Sequence, residues 1–215
     1  MRKTVVWAII FMLLLSVAGC GQSEPESSPQ LTPEPPATEE TVAELLTKGK
    51  NVSGMTYDML MTSPEYEMTG KVWVAGTKVK MEMETEGQKV VSIVNPEAGF
   101  GYTYMPDQNI AMKVPISHED DAETKTPQEF LGEIAPEMLE TAEVVMLEGV
   151  KCYLLSYTEG EAIVKLWVHG EYGVPVKAEF DDSGVVMTIE YKNMQLGEIP
   201  DETFTVPEGV QVMEY

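Results

Sequence analysis

The side chains that could do chemistry in this sequence are few and scattered. One histidine, His118, opens the acidic stretch His118-Glu119-Asp120-Asp121, and the other, His169, stands beside a turn glycine. Neither lies near a serine or cysteine in a nucleophile motif such as GxSxG, so hydrolysis is only a third hypothesis. The acidic stretch could attract a cation, but it lacks the spacing and turn glycine of an EF-hand loop. The sequence therefore predicts a solvated loop there, and a protein that is not an enzyme, with no catalytic residue, metal site or cofactor.

The first cysteine, Cys20, ends a short apolar segment. Arg2 and Lys3 precede the apolar residues, and small residues follow in Leu15-Ser-Val-Ala-Gly-Cys20. This is the order of a secretory signal, and the segment is shorter than the roughly 20 apolar residues of a membrane span. The last four residues resemble the lipobox of bacterial lipoproteins. That resemblance implies a diacylglyceryl group on the Cys20 thiol and cleavage before it, whereas the alternative is an ordinary signal peptide with a chance cysteine.

Charge and composition describe the segment that follows. The net charge of −22 should repel nucleic acid and anionic lipid head groups, so we predict no nucleic-acid partner and membrane attachment through the Cys20 acyl chains alone. Pro, Glu and Ser dominate residues 21–38, which predicts an extended tether. The expected layout is a signal peptide at 1–19, a lipidated N-terminus and tether at 20–39, and a folded domain at 40–215. The protein should lie on the extracytoplasmic face of the cell membrane, or in the outer membrane of a diderm cell.

The second cysteine, Cys152, has no partner once Cys20 is lipidated, so no internal disulfide is expected. It lies in the alternating run Val150-Lys151-Cys152-Tyr153-Leu154. That pattern favours a small buried side chain. A reactive thiol is the alternative.

Hydrophobic periodicity predicts a mainly β (α+β) domain. A helix is expected over 41–48, where Thr41 and Glu44 fit a capping box. One or two short helical turns are expected over 127–139, after Thr126-Pro127, with a break at Pro136. Apolar and polar residues alternate elsewhere, and the turns are short, so antiparallel strands should form one long curved sheet whose concave, apolar face is covered by the short helices. About ten strands are predicted among the alternating segments 52–61, 71–74, 78–84, 89–94, 101–105, 110–114, 142–147, 150–157, 162–168, 175–180 and 185–192, and an edge strand is expected around Phe204 and Val206.

Methionine is abundant, with 15 residues, and many fall on the apolar face of predicted strands. Because methionine is flexible and polarizable, such a surface could repack around apolar guests, although core filling is the alternative. Two short helices should not fill the concave face, so the remaining volume holds either collapsed side chains or an apolar cavity. For a cavity, we predict Phe130, Leu131 and Ile134 as its lid. The predicted lining residues are Met55, Tyr57, Met59, Val72, Met81, Met83, Tyr102, Tyr104, Leu154, Leu166, Phe180, Met187 and Ile189.

Three stretches carry a family resemblance: KVWVAGTKVKMEME (71–84), LWVHGEYGVPVKAEF (166–180) and IEYKNMQLGEIPDETFTVPEGVQVM (189–213). They resemble the Lol-type superfamily of lipoprotein carriers and receptors, which includes mycobacterial lipid-binding lipoproteins, over roughly residues 40–215. The resemblance implies an open half-barrel with helices at its mouth and a cavity for acyl chains. It also implies a role for a cationic side chain on the sheet, and Lys78 and Lys80 stand in the corresponding strand.

The leading hypothesis is thus a membrane-anchored lipoprotein that binds an acyl chain or a lipidated partner, in lipid or lipoprotein trafficking. A second hypothesis, of another class, is an envelope signalling module that uses the same fold to bind a membrane regulator protein.

Overall fold

The computed structural model describes residues 40–85, 87–116 and 125–214. The predicted signal peptide, Cys20, the tether and the acidic stretch from His118 to Asp121 lie outside the described residues.

Within these ranges, twelve strands form one open sheet and confirm the predicted fold class. The strand order is β12-β6-β5-β4-β3-β2-β1-β11-β10-β9-β8-β7, so β12 and β7 lie at the two edges. The strands are β1 Met55–Thr62, β2 Glu67–Ala75, β3 Lys78–Thr85, β4 Gln88–Asn95, β5 Phe100–Met105, β6 Ile110–Pro115, β7 Glu143–Leu147, β8 Val150–Glu159, β9 Ala162–His169, β10 Pro175–Asp182, β11 Val185–Leu196 and β12 Gln211–Glu214.

Two helices lie on one face of this sheet, which we call the concave face. The first helix, α1, spans Val42–Lys50, and the second, α2, spans Pro127–Glu133. Each begins at the predicted threonine, whose side chain accepts a hydrogen bond from the backbone of a glutamate three residues later. The second helix ends before Ile134, and a separate 3-10 helix follows at Pro136–Thr141, which agrees with the break predicted at Pro136.

The strands alternate as the sequence pattern predicts. Along β1, every second residue from Met55 to Met61 is buried, while the intervening residues are half-buried on the opposite, convex face. Neighbouring strands keep this phase through antiparallel pairing. The apolar sets of β1, β2 and β3 therefore lie on the face that carries the helices.

The C-terminal segment departs from the prediction. The residues around Phe204 form a 3-10 helix, Asp201–Phe204, in place of an edge strand. Phe204 is buried on the convex face against Val91 and Ile93. The chain then pairs with β6 as β12, the one parallel pair among the described strands. The predicted edge strand is thus wrong in position. Phe204 packs against the convex face, and the residues that pair with β6 are Gln211–Glu214.

Neither described helix has the length and apolar character needed to cross a membrane.

Candidate functional site

Most of the residues predicted to line a cavity share one hydrophobic cluster on the concave face. The three lid residues, Phe130, Leu131 and Ile134, are buried in the same cluster. The ring centroids of Phe130 and Phe180 lie 5.8 Å apart, so α2 contacts β10 directly. The predicted lining residues in this cluster are Met55, Tyr57, Met59, Val72, Met81, Met83, Leu166, Phe180, Met187 and Ile189.

Three of the predicted lining residues lie elsewhere. Leu154 pairs with Trp167, whereas its neighbour Leu155 pairs with Leu166 and is fully buried in the cluster. Leu154 therefore points to the convex face, and the alternation of β8 is one residue out of phase with the prediction. Tyr102 and Tyr104 also lie on the convex face, where they pack around Val91, Ile93 and Phe204. Their strand is apolar on the side that the C-terminal segment covers.

The concave cluster is a packed core under α1 and α2. Met55, Leu166, Phe130 and Leu131 have no exposed surface. A pocket of about 620 Å³ lies instead among the charged side chains of the convex face, and only Met59 and Met83 of the predicted lining residues touch it. The helices thus fill the part of the face that they cover.

The helices cover only part of the concave face, near β8 and β10. Their main strand contacts are with β8 and β10, through the 3-10 helix at Pro136–Thr141 and through α2. On the other side, the concave side chains of β4 and β6 are half-buried and lie outside the packed cluster. These side chains are Val90, Val94, Met112 and Val114. We call them, with Met83 and Val79 of β3, the open half of the concave face.

The open half continues directly into the packed core. The strand register places one row of side chains across seven neighbouring strands on this face. At one end of the row Met213 is exposed and Met112 is half-buried, and at the other end Val72 and Tyr57 are buried. The row consists of Met213, Met112, Thr103, Ser92, Met81, Val72 and Tyr57. An apolar chain lying on the open half would therefore meet the core without crossing a charged residue of this row.

Lys125 fastens α2 to the sheet. Its Nζ lies 2.7 Å from Glu133 Oε1, at the end of α2, and 2.9 Å from Glu159 Oε1 on β8. The Tyr157 hydroxyl also donates to Glu133, over 3.1 Å. Burial alone would lower the pKa of Lys125, but its hydrogen bonds to both carboxylates and their charges outweigh burial and raise that pKa. Lys125 therefore stays protonated at neutral pH and links the end of α2 to β8.

Two tyrosines lie beneath the lid. The rings of Tyr57 and Tyr191 meet edge to face with centroids 5.1 Å apart, and the Tyr191 hydroxyl donates to the Lys125 carbonyl over 3.1 Å. Burial raises the pKa of both phenols, and the nearby charge of Glu129 adds to the shift. Both phenols therefore remain neutral within the apolar cluster.

The lysines in the strand implied by the family resemblance do not face the core. Lys78 lies 2.7 Å from Asp201, and its pKa is raised by the hydrogen bond to that carboxylate. Lys80 lies 3.0 Å from Glu82 and 4.8 Å from the centroid of the Trp73 ring. Both side chains point to the convex face because they alternate with Val79 and Met81. Neither can contact a ligand on the concave face.

His169 is held by hydrogen bonds and ring stacking, and Cys152 is buried in the sheet. His169 Nδ1 accepts hydrogen bonds from the backbone N–H groups of Glu171 and Tyr172, and the ring stacks on Tyr172 at 4.2 Å. Burial lowers the pKa of His169, although the charge of Glu171 opposes the shift. Cys152 is fully buried, as predicted, and burial raises the pKa of its thiol.

Apart from Met83, the open half was missing from the predicted site, although its strands were located. The segment Val90-Val91-Ser92-Ile93-Val94 is apolar in both phases, so alternation alone does not tell which residues face the helices. The structure resolves the phase, because Val91 and Ile93 lie under Phe204 and leave Val90 and Val94 on the concave face.

Comparison with known proteins identifies the fold alone. No protein-family model matches the sequence, and no curated protein matches it at a significant level. The structure is similar to an uncharacterized conserved protein from Thermus thermophilus, with a TM-score of 0.54 and 12% identity over 80% of this chain and 98% of that chain.

Two weaker likenesses fall below a TM-score of 0.5 and support no conclusion. LprF from Mycobacterium bovis has a TM-score of 0.47 and 9% identity over 79% of this chain and 95% of that chain. MucB in the MucA/MucB complex of Pseudomonas aeruginosa has a TM-score of 0.45 and 14% identity over 80% of this chain and 62% of that chain. The chain thus shares an open β-sheet fold with the Thermus protein.

Proposed function

We propose that this protein is a membrane-anchored lipoprotein that binds an acyl chain, free or attached to a partner, on the open half of its concave face. The observation that carries the proposal is the row of side chains from Met112 to Tyr57, which passes from half-buried to buried with no charged residue. The Cys20 lipobox and the resemblance to Lol-type carriers support the same function.

The physical argument is that an apolar sheet face needs a cover. Burying apolar surface contributes about 25 cal/mol per Å², so half-exposed valine and methionine side chains in one continuous surface favour an apolar guest. Methionine adapts to guests of different shape, and Met83 and Met112 both belong to this surface. An acyl chain fits because it needs length along the row and no hydrogen bonds.

The test is photo-cross-linking in membranes. A free photoreactive fatty acid is added to isolated membranes that contain the full-length protein, so that the probe does not enter the Cys20 anchor. We expect label on peptides of β3, β4 and β6, mapped by mass spectrometry. The substitution Thr103→Glu places a charge in the middle of the row and should reduce this labelling about tenfold, because an ionised carboxylate beside an acyl chain is poorly solvated.

A second variant controls for the added charge alone. Thr158→Glu introduces the same group at an exposed site near the end of β8, on the convex face. It should leave labelling unchanged, and circular dichroism should show both variants folded. Equal labelling of the wild type and Thr103→Glu would contradict the proposal and favour the regulator-binding hypothesis.

A further inference from the structure

The edge strand β7 lacks the protection that usually guards a sheet edge. Among the described residues it pairs with β8 alone, and its other edge meets no strand. Its sequence, Glu143-Val-Val-Met-Leu147, contains no lysine or proline, and its register with β8 shows no bulge. Sheet edges present unpaired N–H and C=O groups, and lysine, proline and bulges are the usual means of blocking them.

The edge also exposes the most accessible large apolar side chains of the described residues. Val144 is 62% exposed and Met146 is 66% exposed. Both lie on the side of the sheet that carries Tyr153, because Val144 pairs with Tyr153 and Met146 with Lys151. An added strand would bury these two side chains with its own apolar residues.

The acidic side chains around β7 indicate which residues a bound partner should carry. Glu143 points to the opposite face of β7, and Glu148 follows the strand in an exposed turn. Glu137 and Glu140 are exposed in the preceding 3-10 helix, whereas Lys151 is the one base between residues 136 and 151. The ring of Tyr153 holds the Lys151 ammonium at 5.3 Å, on the apolar side of the edge. On the face of β7 that carries Glu143, a bound partner should therefore present basic residues.

Two other occupants fit this edge poorly. Residues 21–38 of the same chain contain several prolines and glutamates, which cannot complete a hydrogen-bonded ladder and would add negative charge. A second copy paired antiparallel on β7 would bring Glu143 near Glu148 of the other copy. The net charge of −22 per chain adds to that repulsion.

We propose that β7 is the docking edge for an extended peptide of a partner protein, in which apolar and basic residues alternate. The peptide adds as a further strand, with its apolar residues beside Val144 and Met146 and its basic residues beside Glu143. Backbone hydrogen bonds supply affinity, and the alternation supplies specificity. The site is separate from the acyl-binding surface, so either proposal can fail without the other.

The test measures peptide binding to the full-length protein purified in detergent. A fluorescent peptide of alternating valine and lysine is titrated by fluorescence polarisation. We expect saturable binding that Met146→Lys weakens about tenfold, since this lysine both removes an apolar contact and guards the edge. The control Val185→Lys makes the same kind of change at a residue that is 60% exposed on the internal strand β11, and it should have less than about a twofold effect.

A second peptide separates strand addition from charge attraction. Methylation of alternate backbone nitrogens preserves the lysines but removes the ladder donors, so this peptide should not bind. Equal binding of the methylated peptide, or equal weakening by Val185→Lys, would overturn the proposal. A dimer of the wild-type protein that Met146→Lys dissociates, with no peptide binding, would assign the edge to a second copy instead.

Discussion

At the scale of single residues, the most demanding contact lies between two glycines. Gly49, in the last turn of α1, and Gly173, between β9 and β10, approach so closely that a Cβ on either would overlap the backbone near the other. A Cβ on Gly173 would lie 1.9 Å from the Leu45 carbonyl oxygen. Lys48 reinforces this junction by donating to the Glu171 carbonyl over 2.6 Å. The backbone of α1 thus packs directly against the turn between β9 and β10.

We therefore expect Gly173→Ala to be strongly destabilising. Gly173 has a φ of +70°, which costs an L-residue about 1–2 kcal/mol, and the overlap with Leu45 should bring the total to about 3 kcal/mol or more. Gly76→Ala is the matched control, since Gly76 has a φ of +59° and nothing within 4 Å of its added Cβ. Urea unfolding measures both. Equal losses of unfolding free energy would show that backbone conformation matters and the contact does not.

At the scale of elements, the placement of α2 depends on how this helix begins. Thr126 is buried, and its side chain caps the helix by accepting from the Glu129 backbone N–H. Phe130 and Leu131 follow and are fully buried in the concave cluster. With seven residues, α2 is too short to be stable on its own. Its cap, its apolar contacts and the Lys125 cluster must together keep it in place.

We expect Thr126→Ala to destabilise α2 without destabilising the sheet. Loss of an N-cap costs about 1 kcal/mol, and here the cost should fall on local opening of α2. Hydrogen exchange should accelerate about fivefold at the amides of α2, with little change in β1 or β10, because 1 kcal/mol corresponds to that factor. Thr41→Ala removes the equivalent cap of α1 and serves as the control. Uniform acceleration over the sheet would show that α2 does not open separately.

The elements also show where sequence reasoning succeeds. Both helix starts are predictable because threonine, three residues before glutamate, leaves a local signature. Most strands are predictable because one face is buried, as in β1. The phase of β8 is not, since Cys152, Tyr153, Leu154 and Leu155 are all compatible with burial. The strand β12 was missed because its four residues are exposed, and its parallel partner β6 is distant in sequence.

At the scale of the whole molecule, the curved sheet and its helix layer were predictable, but the filling of the concave face was not. The number of helices follows from local patterns, whereas the area that they cover depends on where α2 docks. Since α2 contacts β10, one side of the face is packed and the other is left half-buried. On the packed side, Met55 and Met59 are buried within the core cluster. Methionine has a different environment at Met112, where the surface is open.

Charge and attachment also belong to this scale. A net charge of −22 gives the chain no electrostatic attraction to an anionic membrane surface, so the Cys20 anchor should provide the whole membrane affinity. Two acyl chains on a diacylglyceryl group suffice for stable anchoring, at about 0.8 kcal/mol for each buried methylene. An acidic protein held in this way should resist washing with salt, which releases proteins held by charge.

The substitution Cys20→Ser tests this attachment. The wild-type protein should remain in the membrane fraction after a wash in high salt, and its N-terminal peptide should carry the mass of the lipid. Cys20→Ser removes the acceptor thiol, so the variant should lose that mass. If an alternative signal peptidase cuts the variant, it is released; if none does, it is retained with an uncut N-terminus, which N-terminal sequencing detects. A processed, lipid-free variant that still sediments with membranes would contradict the anchor and point to attachment through the folded domain itself.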